Sequence, residues 1–87
     1  MDTLSDPRPD PVRDGRDRID ALDAELVRLI TERVALSAHV QQARRAAGGP
    51  LIVSSRENEV VGRWRQALGR PGGTIALALL ELGRGPR

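Results

Sequence analysis

The longest stretch without glycine or proline constrains this chain more than any other feature of its sequence. It runs from Arg16 to Ala47, and its apolar residues recur every three or four positions, the spacing of one face of an α-helix. Gly48, Gly49 and Pro50 then supply residues that end helices. A helix over this stretch rises about 48 Å. A compact chain of 87 residues has a radius of gyration of only about 12 Å, so the helix is too long for the rest of the chain to cover.

Two shorter helices are predicted after the long one. The segment SSRENEVVGRWRQAL begins with Ser54, which stands three residues before Glu57, the spacing of a capping box. Residues 69 to 73 are rich in glycine and indicate a break. The strongly apolar segment TIALALLEL then predicts a third helix, capped by Thr74. No segment alternates with a period of two, so the predicted fold class is all-α, with one long and two short helices per chain.

The ends of the chain differ in composition from its middle. Residues 1 to 13 are acidic and rich in proline, and we expect them to be a disordered lead-in. Residues 14 to 83 form the predicted helical domain. Residues 84 to 87 belong to the glycine-containing ending GRGPR and are expected to be a mobile tail.

Composition excludes several classes of function. The chain has no cysteine, which excludes disulfides, thiolate chemistry and cysteine-based zinc sites. The single histidine, His39, cannot build a zinc site alone. No segment approaches the roughly 20 apolar residues of a membrane span, and the N-terminus lacks the apolar core of a signal peptide. We therefore expect a cytoplasmic protein that uses no metal and no cofactor and does not bind membranes.

The cations point to an anionic partner. All 14 basic residues are arginine, although the net charge is only +2. Arginine has a planar fork that suits carboxylate and phosphate groups, and it keeps its charge when it is desolvated. A nucleic acid is a poor candidate, because the charge is nearly balanced and the single aromatic residue cannot form a stacking platform. A nucleic-acid-binding module, or a non-catalytic module for helical dimerisation, is the alternative of another class.

Three arginines lie on the apolar stripe of the long helix, where a core would be expected. They are Arg16, Arg33 and Arg44. Arg33 and Arg44 are about 16 Å apart along the helix, and Arg16 lies about 25 Å from Arg33. In an antiparallel homodimer whose long helices cross near Val27, Arg16 of one chain comes close to the midpoint of Arg33 and Arg44 of the other. Such an intertwined dimer contains two sites, each lined by arginines from both chains.

A pocket of this kind would suit a small dianion. Unpaired buried cations cost several kcal/mol each, and a ligand with two carboxylates offsets most of that cost. Glu57, on the inner face of the second helix, would accept from a ligand hydroxyl or hold an arginine in place. Alternatively, these residues have structural roles and bind no ligand. The arginines could extend their charged ends to water, and Glu57 could simply cap its helix.

These residues together resemble a known family, the all-α chorismate mutases. The pattern is an arginine shortly before IDALD, here Arg16, then Arg33 four residues after Leu29, then a basic residue at Arg44. The SREN segment resembles the Arg–Glu pair that opens the second helix of that family. The resemblance covers about residues 14 to 83. It implies an intertwined all-helical dimer and the rearrangement of chorismate to prephenate, a unimolecular reaction that needs no nucleophile, metal or cofactor.

The resemblance also implies roles for individual residues. Arg16 of the partner chain and Arg33 would bind the two carboxylates, and Arg44 would face the ether oxygen and a carboxylate. Arg56 and Glu57 would hold the ring side, with Glu57 accepting from the ring hydroxyl. In this pattern the catalytic residues are Arg33, Arg44 and Glu57. Two further substrate-binding positions are Val53 and Gly83.

Some positions depart from the family pattern. Arg44 stands where many members have lysine, Val53 where several have an acid, and Gly83 where some have serine. The glutamine of the last helix, which helps to hold the ether oxygen, has no counterpart. This ending resembles a short subclass that is activated by complex formation with DAHP synthase, and Arg84 could then be pressed toward the site. Isochorismate–pyruvate lyase and 4-amino-4-deoxychorismate mutase act on similar scaffolds and are the alternative activities.

Overall fold

A computed structural model describes residues 8–50 and 53–85 and contains three helices. Helix α1 spans Pro11–Ala46, α2 spans Ser54–Leu68 and α3 spans Arg70–Arg84. The described residues contain no strand, so the prediction of an all-α chain with one long and two short helices is confirmed. None of the helices in these ranges combines the length and apolar content needed to cross a membrane.

Helix α1 begins earlier than the sequence predicted. The Asp10 side chain accepts a hydrogen bond from the Arg13 backbone N–H at 3.1 Å, and Pro11 occupies the first turn, where its missing N–H costs nothing. Three residues of the expected disordered lead-in are therefore helical. Residues 8 to 10 precede the helix, and the part of the prediction that concerns residues 1 to 7 lies outside the described residues. At the other end, Gly48 has φ +77° and ends the helix as predicted.

Helix α2 begins without the predicted capping box. Val53, in an extended conformation, is the N-cap residue and makes no side-chain capping hydrogen bond. Ser54 is already the first helical residue, so it does not occupy the N-cap position from which it was expected to cap the first turn. The Glu57 carboxylate is bound elsewhere, to Arg84. A tertiary ion pair has thus replaced a local capping contact.

Helix α3 begins four residues before the predicted cap at Thr74. The break between α2 and α3 is a single residue, Gly69, with φ +78°. Gly72 then passes so close to α2 that a Cβ added to it would lie 2.2 Å from the Trp64 carbonyl oxygen. The glycine-rich segment is therefore mostly helix, and its lack of side chains allows the two helices to pack closely at this corner.

The small core lies around α3, which packs against both other helices. The buried apolar residues are Val60, Ala76 and Leu79. Helix α1 contributes no buried residue. The chain measures 71 × 26 × 18 Å, so much of α1 extends beyond the other two helices.

The large apolar residues of α1 remain open to solvent in a single chain. Each of the following is 46% to 64% exposed: Val12, Ile19, Leu22, Leu26, Val27, Leu29, Leu36 and Val40. We call this set the α1 apolar stripe. On the solvated side of the helix, Arg28 pairs with Glu25 and Glu32, and this ion pair holds the pKa of Glu25 below its ordinary value.

Candidate active site

A cavity of about 290 Å³ lies where the second half of α1 meets the start of α2 and the end of α3. Six residues of α1 line it: Arg33, Leu36, Ser37, Val40, Gln41 and Arg44. The N-cap residue of α2, three residues in its first half and three near the end of α3 complete it: Val53, Arg56, Glu57, Val60, Leu80, Gly83 and Arg84. All three helices therefore contribute to one site.

The α1 wall of the cavity is a single helical face. Its residues follow one another at alternating intervals of three positions and one position, which keeps them within a narrow sector of the helix. Arg33 and Arg44 lie at its two ends, about 16 Å apart, and both are half-buried. Ser37 and Gln41 lie between them and carry neutral hydrogen-bonding groups. The wall can therefore bind two separated anionic groups and one polar group between them.

Positive charge dominates the lining of the cavity. Four arginines line it, at positions 33, 44, 56 and 84, against a single carboxylate, that of Glu57. Glu59, which is outside the lining, pairs with Arg56 at 2.6 Å and with Arg63 at 2.9 Å. Arg33 forms no ion pair within the described part of the chain. A small anion would therefore find at least one cation, Arg33, that no carboxylate of the described residues neutralises.

Glu57 and Arg84 form the contact that closes one side of the cavity. Arg84 Nη2 donates to both carboxylate oxygens of Glu57, at 2.6 Å each. The two side chains are only 25% and 28% exposed. Glu57 is in the first turn of α2 and Arg84 in the last turn of α3, where the helix dipoles favour a negative and a positive charge respectively. This pair ties the two helix ends together beside the α1 arginines.

Six of the seven sequence-predicted site residues lie around this cavity. They are Arg33, Arg44, Val53, Arg56, Glu57 and Gly83. Arg16 does not, because it lies on an exposed part of α1 about 25 Å before Arg33. The cavity of one chain thus lacks the one residue that was expected to come from a partner.

The sequence prediction missed Ser37 and Gln41 as lining residues. They could have been predicted from their spacing, because residues four and eight positions after Arg33 lie on the same face of a helix as Arg33. It also placed Arg84 in a mobile tail. Instead, Arg84 is the last residue of α3 and pairs with Glu57, while Gly85, at φ +80°, ends the helix after it. The rest of the tail prediction, for residues 86 and 87, lies outside the described residues.

The described residues contain no group of three or more histidine, cysteine, aspartate and glutamate side chains that could hold a metal ion. The groups able to act on a ligand here are guanidinium groups, one carboxylate, a hydroxyl and an amide. Such a set can bind, orient and stabilise charge, and it contains no activated nucleophile.

Comparisons with known proteins relate the chain to one family. Residues 15–76 match the family described as chorismate mutase type II. The intracellular chorismate mutase of Mycolicibacterium smegmatis is 43% identical over 74 residues, which are 85% of this chain and 71% of that protein. The intracellular chorismate mutase of Mycobacterium tuberculosis H37Rv is 44% identical over 70 residues, which are 80% of this chain and 66% of that protein.

A solved structure is similar in fold as well as in sequence. It is a chain in a non-covalent complex of DAHP synthase and chorismate mutase from Corynebacterium glutamicum with a bound transition state analog. The TM-score is 0.83 and the sequence identity 29%, and the match covers 87% of this chain and 92% of that chain. The likeness therefore extends over all three helices.

Proposed function

The chain belongs to the chorismate mutase type II family, and from this membership we propose that it catalyses the rearrangement of chorismate to prephenate. The observation that carries the proposal is the cavity itself. Arg33 and Arg44 stand at the two ends of one helical face, and Glu57 lies on a neighbouring wall. This arrangement matches a dianion that also carries a hydroxyl group, which is the chemistry of chorismate.

The mechanism requires the site to hold the substrate in its reactive conformer and to stabilise the charge that develops on it, without forming a covalent bond to the substrate. The reaction is unimolecular, so the site contributes by holding the compact conformer in which the two reacting carbons approach each other. Arg33 binds a carboxylate, and Arg44 donates toward the ether oxygen, where negative charge develops as the C–O bond breaks. Glu57 accepts a hydrogen bond from the ring hydroxyl. Arg56 lies on the same side and adds positive charge.

The proposed site is completed by a second copy of the chain. The α1 apolar stripe is exposed in one chain, and its burial against an antiparallel copy would be strongly favourable. Arg16 lies eleven residues before Val27, and the midpoint of Arg33 and Arg44 lies eleven to twelve residues after it. A crossing at Val27 therefore brings Arg16 of one chain to the cavity of the other. This homodimer gives each site a further arginine for the second carboxylate.

A second partner is also proposed. The similar solved chain occurs in a complex of DAHP synthase and chorismate mutase, and we propose that this chain binds DAHP synthase as well and gains activity from it. The relatives are named intracellular, which supports the expected cytoplasmic location. Chorismate is a small soluble dianion, so such a location gives the site direct access to its substrate.

The experiment that tests the proposed function is a side-by-side incubation with chorismate, isochorismate and 4-amino-4-deoxychorismate. Loss of each substrate is followed by absorbance, and the products are identified by mass spectrometry. We expect prephenate from chorismate, at a kcat/KM higher than for either other compound. Release of pyruvate from isochorismate as the fastest reaction would instead identify a lyase, and no turnover of any of them, with or without DAHP synthase, would contradict enzymatic function.

A further inference from the structure

Only one of the three nitrogens of the Arg84 guanidinium forms hydrogen bonds with Glu57. Nη2 alone contacts Glu57, and it reaches both carboxylate oxygens at 2.6 Å. A guanidinium that serves only to bind a carboxylate commonly uses two nitrogens in a parallel pair of hydrogen bonds. Here Nη1 remains available for another acceptor.

The Nε group of Arg84 is in an unfavourable state. It is buried and has no hydrogen-bond partner. A buried N–H without an acceptor is rare in folded proteins, because the group has lost its water without replacement. The rest of the guanidinium is not sealed off, since the side chain is 28% exposed and Arg84 lines the cavity. Because Nε is buried, a ligand in the cavity would meet the exposed part of the guanidinium at Nη1 rather than at Nε.

Arg84 is also the one side-chain donor that α3 offers to the cavity. The other α3 residues in the lining are Leu80 and Gly83, and neither has a polar side-chain group. The donors on α1, Arg33 and Arg44, belong to a different wall. A ligand oxygen that faces α3 therefore has Arg84 as its only charged side-chain donor on that wall.

From these observations we propose that Arg84 is a substrate-binding residue, which donates from Nη1 to an oxygen of the bound dianion while Nη2 stays on Glu57. The inference rests on the proposed mutase function for the identity of the dianion. Each oxygen of Glu57 accepts one bond from Nη2 and keeps a lone pair for the ring hydroxyl. Arg84 thus contacts the substrate directly and also fixes the carboxylate that contacts it.

A double-mutant cycle separates direct contact from a role through Glu57. The chains compared are the wild type, Arg84→Gln, Glu57→Gln and the double variant, and kcat/KM for chorismate is measured for each. If Arg84 contacts the substrate, Arg84→Gln lowers kcat/KM by about 10- to 100-fold even in the Glu57→Gln background. If Arg84 acts only by holding Glu57, it has no further effect in that background, and the proposal is overturned.

Two further variants control the experiment. Arg84→Lys keeps the charge and can pair with Glu57, but a single ammonium group cannot reproduce the guanidinium geometry. It should retain the helical circular dichroism of the wild type and still lose about 10-fold or more in kcat/KM. Wild-type kcat/KM for Arg84→Lys would contradict the proposal. Arg63→Gln removes an arginine of an exposed pair outside the cavity and should leave kcat/KM unchanged.

Failure of the proposed function would be recognised separately. It appears as absence of turnover in the wild-type chain, with and without DAHP synthase. The same cycle is then evaluated from the dissociation constant of chorismate, measured by calorimetry. Weaker binding on Arg84→Gln in both backgrounds supports the Arg84 contact, and unchanged binding in the Glu57→Gln background overturns it.

Discussion

Gly83 near the end of α3 lies directly against Ser37 of α1. A Cβ added to Gly83 would come within 3.0 Å of the Ser37 hydroxyl oxygen and 3.1 Å of its Cβ, distances shorter than ordinary van der Waals contact. Both residues line the cavity. The absence of a side chain at position 83 therefore sets how closely α3, with Arg84 at its end, approaches the α1 arginines.

Gly83→Ala should lower activity more than it lowers stability. The added methyl group pushes α3 away from α1 by a few tenths of an ångström, and small misplacements of binding groups reduce catalysis; we expect kcat/KM to fall about 3- to 10-fold. Alanine also favours helix over glycine by about 0.5–1 kcal/mol, which offsets the steric cost in thermal unfolding. Adding Ser37→Gly removes the clashing atoms and should restore part of kcat/KM. Unchanged kcat/KM in Gly83→Ala would contradict this account of the contact.

Gly72→Ala should destabilise the chain by about 1–3 kcal/mol. Its Cβ would lie 2.2 Å from the Trp64 carbonyl oxygen and 2.8 Å from the Leu68 Cβ, so α2 and α3 would have to separate. Gly62→Ala is the matched control, since a Cβ there meets nothing within 4 Å and alanine favours the helix. Urea unfolding at one fixed protein concentration measures both. Equal stabilities for the two variants would show that the corner tolerates a side chain.

Much of the fold follows from local sequence signals. The run from Arg16 to Ala47 lacks glycine and proline, so its helical period can be followed without interruption, and Gly48 marks where it ends. The same periodicity identified Arg33 and Arg44, because charged residues on an apolar stripe are conspicuous. These features depend on residues near one another in sequence, which is why they could be predicted.

The features that were not predicted depend on tertiary contacts. Glu57 is separated from Arg84 by 27 residues, and no local pattern indicates that it pairs with the end of α3 rather than capping α2. The start of α3 at Arg70 depends on Gly72 packing against the Trp64 backbone. In the sequence alone, the glycines of residues 69 to 73 indicate a break between helices as readily as the start of a helix. The start of α3 could therefore be recognised only from its packing against α2.

The two cavity arginines of α1 should be needed for turnover and dispensable for folding. Arg33→Ala and Arg44→Ala should each lower kcat by about 10²- to 10³-fold or more. Circular dichroism at 222 nm should stay unchanged in both variants. The melting temperature of Arg33→Ala should stay level or rise, because Arg33 is a half-buried cation that forms no ion pair within the described residues. Arg45→Ala is the control, since Arg45 is exposed and outside the cavity lining. Near wild-type turnover in either cavity variant would contradict the site assignment.

Addition of DAHP synthase from the same organism should raise turnover by about tenfold or more, the size of a typical coupling between two sites. The chain without residues 86 and 87 keeps Gly85, which caps α3 through its N–H to the Leu82 carbonyl oxygen. We expect this shortened chain to keep its basal rate and to lose most of the activation. A chain that is fully active alone and does not respond to DAHP synthase would be an independent mutase.

The central claim is a site built from two chains, and subunit complementation tests it most directly. Arg16→Ala and Arg33→Ala should each be inactive alone, because either change damages both sites of a homodimer. Unfolding and refolding an equimolar mixture makes about half of the dimers mixed, and each mixed dimer has one intact site, so activity should return to about a quarter of the wild type. Mixed dimers that form, as shown by mass spectrometry, and remain inactive would contradict the shared site.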